Sequence, residues 1–193
     1  LILFGMRHRL GLAPLYTVVG TVQALEVVMA GSVQVEALPG LVVSPASAVL
    51  FPVTIFVVLL TYVEHDAEET RKLAYGVVIA NLVVFALSAL AGQHLVAGGH
   101  RNPLGVPVDL FVQPPRLALA STLSLLIDVV AAVVLFEECS RWLGRSLFLR
   151  LWLTTTAVMT IDSVTFAIGA FLGGPRVVQV FVSSLVGKLL GAA

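Results

Sequence analysis

Charge is scarce in this chain. Asp, Glu, Lys and Arg make up 11% of its 193 residues, where an ordinary soluble domain carries roughly 25%. A water-soluble core is therefore the weaker alternative. The charges cancel to a formal net of +0, which leaves no electrostatic case for nucleic acid. Cysteine is nearly absent as well: with Cys139 alone, no disulfide can close within the chain. Motifs of catalysis are missing. There is no G-x-S-x-G, and "LVGKLL" around Lys188 lacks the first glycine and the Ser/Thr of a phosphate-binding loop. His94 and His100 read as loop residues near Asp109 rather than as a metal cluster. Asp128 and Asp162 sit in "LLID" and "MTID", unlike the YD and GxGD contexts of membrane aspartyl proteases, whose two acids share a proton. No enzyme activity, cofactor or metal is expected.

What is present is apolar length. Residues of the apolar class make up 59% of the chain, and the mean hydropathy is +1.03. A span needs about 20 apolar residues, and six stretches qualify: about 10–30, 46–63, 73–95, 117–136, 149–172, and 177 to the end. The expected fold is an all-α, polytopic bundle of six transmembrane helices forming a single domain over 1–193. The chain begins at Leu1 and stops inside an apolar segment, so it is read as part of a longer chain continuing into the cytoplasm. The basic "MRHR" precedes a run long enough to span, which does not fit a cleavable signal peptide.

The connections differ in chemistry. "GSVQVEALPGLVVSPAS" alternates apolar and polar residues and then turns at Pro39-Gly40, as a short hairpin lying on the membrane would. "GGHRNPLGVPVDLFVQPPR" is rich in Pro and Gly and reads as a loop. "EHDAEETRK" reads as a solvated loop in which Asp66 caps the third helix, with Glu69 three residues on. A metal site from His65, Asp66 and Glu69 is the weaker alternative. Arg7, Arg9, Arg71, Lys72, Arg141, Arg145 and Arg150 fall on one side of the spans, and Arg101, Arg116 and Arg176 on the other. The richer side is expected to be cytoplasmic, with both termini there.

Glu26, Asn81, Asp128, Asp162 and Lys188 lie deep in spans, with Gln23 one turn before Glu26. An ionisable group at that depth costs at least about 2.5 kcal/mol, so such groups face the bundle interior and mark a site. Helical spacing groups Ser121, Ser124 and Asp128 on one face, Thr155, Asp162, Thr165 and Gly169 on another, and Ser184 with Lys188 on a third. Small and hydroxylated residues also suit close helix packing. Two readings compete. In one, Lys188 pairs with Asp162 or Asp128 and fixes the bundle. In the other, the carboxylates bind a polar or cationic ligand in a central cavity. Three acids face one lysine, and the surplus must be protonated, hydrated or bound to something.

The stretches "SPASAVLFPVTIFVVLLTYV" and "TRKLAYGVVIANLVV" resemble the VUT family, vitamin-transporter-like membrane proteins associated with uptake of queuosine precursors. Phe51, Pro52, Thr54, Tyr75, Gly76 and Asn81 carry that likeness. The fifth span, "TIDSVTFAIGAF", matches the family pattern at Asp162, Ser163, Phe166, Ala170 and Phe171, and "SSLVGKLL" resembles its last span, with Lys188 where the family has a lysine. Leu59 stands where transporter members carry an acid, and Val158 and Met159 stand where Ser-Gln is usual. The N-terminal stretch "FGMRHRLGLAPLYTVVGTVQALEVVMA" is more similar to the branch found as the N-terminal membrane region of bacterial sensor kinases and diguanylate cyclases.

The resemblance implies a fold like that of ECF transporter substrate subunits and a location in the bacterial inner membrane. It implies a sensory input domain that binds a small molecule and signals to a cytoplasmic module. The alternatives are a transporter or substrate-binding subunit for a deazaguanine-like compound, and a membrane anchor without a ligand. Direct pairing of Lys188 with Asp162, with no cavity beside them, would favour the anchor. The expected ligand-binding residues are Asp162, Asp128, Glu26, Asn81, Lys188 and Thr155. The expected partners are membrane lipid, the small-molecule ligand, a C-terminal kinase or diguanylate cyclase module and a second copy of the chain.

Overall fold

The computed structural model describes residues 11–38, 41–65, 67–97, 101–112, 114–143, 146–172 and 177–192. Among these residues, six α-helices carry the fold: α1 (Ala13–Ser32), α2 (Phe51–Glu64), α3 (Ala67–Val96), α4 (Pro115–Trp142), α5 (Leu147–Phe171) and α6 (Val177–Ala192). Five stretches, one for each of α1 to α5, are long and apolar enough to cross a membrane. The sixth expected span differs. Its helix has 16 residues among those described, Val177–Ala192, and is not among the stretches that qualify.

Between α1 and α2 lies the hairpin that the alternation in sequence implies. Strand β1 (Val35–Leu38) pairs antiparallel with β2 (Leu41–Val43), in the register Val35 to Val43, Glu36 to Val42 and Leu38 to Leu41. The Pro39-Gly40 turn lies outside the described residues, as does Asp66, the expected cap of α3. Glu69, the partner of that cap, accepts the Tyr16 hydroxyl at 2.7 Å and Lys72 at 2.8 Å.

α2 is entered through a π-helical turn, Ala46–Leu50, in which the Phe51 N–H reaches back to the Ala46 carbonyl. The cause is Pro52. It has no N–H to give and its ring crowds the preceding turn, so the helix widens there instead of continuing in α geometry. Pro14 and Pro115 stand in the first turns of α1 and α4, where no N–H is missed. Ser146 caps α5 by accepting from the Leu149 N–H. The far end of α5 is closed by Arg116, whose guanidinium donates to the carbonyls of Gly169 and Leu172 at 3.0 Å each.

The apolar core gathers around α2. Ile55, Val58 and Leu59 have no exposed surface and pack with Leu73, Val77, Leu125, Val129, Val158 and Met159. Close backbone approach is needed at two glycines. A Cβ on Gly187 of α6 would lie 2.5 Å from Val43 of the hairpin, and one on Gly169 of α5 would lie 3.0 Å from Ala120 of α4. The first contact seats the hairpin on α6, and the second brings α4 and α5 together along their length.

Candidate functional site

The polar stripes of α4, α5 and α6 meet inside the bundle. The Lys188 ammonium, on α6 and 3% exposed, pairs directly with Asp162 Oδ2 on α5. The second oxygen of Asp162 accepts the Ser124 hydroxyl of α4 at 2.6 Å, and Ser124 lies 2.6 Å from Thr165 Oγ1. Ser163 and Ser184 approach to 3.4 Å and add a contact between α5 and α6. The Phe51 ring, at the start of α2, sits 5.2 Å from the ammonium and covers it as a cation–π partner.

Asp162 is thus held on both oxygens. Asp128 is not. It has no exposed surface, and its one hydrogen-bonding neighbour among the described residues is another carboxyl, that of Asp162. It lies within electrostatic reach of Asp162, Lys188 and Glu26. Glu26 is half-buried, with Oε2 buried and undonated, and it too senses Asp162 and Lys188. One ammonium therefore stands among three carboxyl groups from α1, α4 and α5.

A neutral network joins the same helices. Gln23 Nε2 donates to Asn81 Oδ1 at 3.2 Å, and Asn81 Nδ2 donates to Thr122 Oγ1 at 2.9 Å, tying α1, α3 and α4 together. Gln23 Oε1 remains buried without a donor. The unpartnered atoms around the centre, on Gln23, Glu26 and Asp128, are all oxygens. A group that completed them would have to donate hydrogen bonds or carry positive charge.

Of the six expected site residues, Asp162, Lys188, Asp128 and Glu26 come together, and Asn81 joins through Gln23 on α1. Thr155 is placed elsewhere. It shares a face with Asp162 but lies about 10 Å along α5, where with Pro52, Val53, Phe56, Leu151 and Trp152 it lines an apolar groove of about 310 Å³ between α2 and α5. Phe51 is the partner that sequence reasoning missed. An aromatic before a proline carries no signal that it will cover a lysine 137 positions later.

A family profile described as vitamin uptake-like sensor matches residues 1–193, the whole length. The chain belongs to this family. As a vitamin uptake-like sensor it fits a membrane protein with a sensory role, in keeping with its long apolar helices. Comparisons with curated proteins and with solved structures give no match. In this vitamin uptake-like sensor, Leu59 lies fully buried in the apolar core, so that position of α2 adds no acid to the polar centre.

Proposed function

We propose that the chain is a membrane-embedded input domain that binds a small, donor-bearing or cationic molecule at the bundle centre. Binding is relayed through α6 to a cytoplasmic output module. The observation that carries the reading is the contrast between two aspartates. Asp162 is latched to Lys188, whereas Asp128 is buried beside that pair with only the Asp162 carboxyl to bond. A donor arriving at Asp128 and Glu26 changes the electrostatic balance around Lys188, the residue that ties α6 to α5. The membrane-anchor reading accounts for the ion pair but gives Asp128 and Glu26 nothing to do. The family description favours sensing over transport.

The test is a thermal-shift screen of the purified protein in detergent. Deazaguanines and related nucleobases, which present N–H edges, are compared with neutral compounds of similar size. A ligand at about 100 times its dissociation constant adds about 2.7 kcal/mol of stability. Asp128→Asn and Asp162→Asn are each expected to weaken binding by more than about tenfold, the loss of a charge-assisted hydrogen bond. A ligand that binds both variants as well as the wild type would move the site away from this cluster.

A further inference from the structure

A polar cavity lies where α2 turns into α3 and α5 begins. It has a volume of about 380 Å³, and its walls include Tyr62, His65, Ala67, Phe136, Leu147 and Arg150. The Tyr62 and Phe136 rings meet edge to face at 6.1 Å and form one side. Arg150 is the anomaly. It is the fourth residue of α5, in the first turn, where the helix dipole disfavours a cation. Its Nε is buried and unpartnered, and no acid pairs with its guanidinium among the described residues.

The acids nearby are engaged by other groups. Tyr62 donates to Glu137, Lys72 holds Glu68 at 2.9 Å and Glu69 at 2.8 Å, and Glu69 also takes the Tyr16 hydroxyl. No carboxylate is among the described residues lining the cavity. Ala67 and Leu147 are the first residues of α3 and α5, so two helix N-termini open onto the same space and add positive potential. Trp142, the last residue of α4, is 84% exposed, and Phe148, next to Leu147 in sequence, is 79% exposed. An exposed Trp at the end of a span marks the headgroup level of a bilayer.

We propose that this cavity is an anion site for a phosphate group, with Arg150 as the main ligand and the starts of α3 and α5 in support. A guanidinium suits phosphate because its planar fork donates two parallel hydrogen bonds. At headgroup depth the phosphate has two sources, an anionic phospholipid or a soluble phosphate.

The experiment uses the full chain in a neutral maltoside detergent at fixed ionic strength. Thermal midpoints are read against inorganic phosphate, short-chain phosphatidylglycerol and a diacylglycerol of the same chain length. Stabilisation by phosphatidylglycerol alone assigns the site to lipid, and stabilisation by inorganic phosphate as well assigns it to phosphate in general. Arg150→Gln is expected to weaken the response by about tenfold or more, and Arg150→Lys to keep part of it. Leu147→Trp, which fills the cavity without changing charge, is expected to abolish it and stands in if Arg150→Gln does not fold. Asp162→Asn, in the central cluster, is expected to keep the phosphate response. No response to either phosphate source, an equal response to diacylglycerol, or an undiminished response in both Arg150→Gln and Leu147→Trp would overturn the assignment.

Discussion

Asp162 and Asp128 lie on neighbouring helices in the same apolar surroundings, and they should respond in opposite ways to mutation. Removing Asp162 strands the Lys188 ammonium, which is 3% exposed. Breaking one side of a buried pair costs about 3–5 kcal/mol, so Asp162→Ala is expected to lower the thermal midpoint sharply in the absence of ligand. Asp128 bonds only to the Asp162 carboxyl, and an amide in its place can donate that bond. Asp128→Asn is expected to hold the wild-type midpoint or raise it, while losing ligand response. Equal destabilisation by both changes would make Asp128 a structural residue. The grouping of these side chains was legible in sequence because helical periodicity is local. Ser124, Asp128, Asp162, Thr165, Ser184 and Lys188 could be assigned to faces from spacing alone. Depth and neighbour were not legible. Thr155 shares the Asp162 face but lines another groove, and the Phe51 ring reaches Lys188 only through packing of α2 on α6.

At the scale of elements, the hairpin and α6 form a unit. β2 sets Val43 against Gly187, one residue before the lysine of the central pair. Gly187→Ala would place a methyl group 2.5 Å from Val43 Cγ1. A β-branched side chain has few rotamers into which to retreat. Overpacking of this kind costs about 1–3 kcal/mol, and Val43→Ala in the same chain is expected to restore most of it. Additive losses in the double variant would mean that the two residues do not touch. The hairpin itself was readable from the alternation at Val33–Glu36 and the Pro-Gly turn, since both signals are short-range. The π turn before Pro52 was not. Proline announces a local defect, but whether the helix kinks, starts or widens depends on what packs around it, here the fully buried Ala46.

For the molecule as a whole, the distribution of Lys and Arg leads to an expected topology that can be measured. With the richer side cytoplasmic, Leu104 in the long loop faces outward and Trp142 at the end of α4 faces inward; they are 86% and 84% exposed. In a Cys139→Ala background, a membrane-impermeant maleimide applied to intact cells is expected to label Leu104→Cys and to spare Trp142→Cys. The reverse pattern would invert the bundle and move the Arg150 cavity to the outer face. All six expected spans were read from composition, since a long apolar run needs no partner to be recognised, and among the described residues five of them are long and apolar enough to cross a membrane.

The tie between Lys188 and Asp162 also bears on how the last helix reaches its place during synthesis. α6 carries Lys188, and a lysine within a span costs up to about 2.5–3.5 kcal/mol when the translocation machinery releases it to lipid. Alone, the segment has little reason to leave the aqueous channel. With α5 waiting beside it, the carboxylate of Asp162 supplies the partner that makes entry favourable. Glycosylation mapping of α6 fused alone to a carrier is therefore expected to show poor integration. An α5–α6 pair is expected to integrate well, and Asp162→Leu in that pair to bring the defect back.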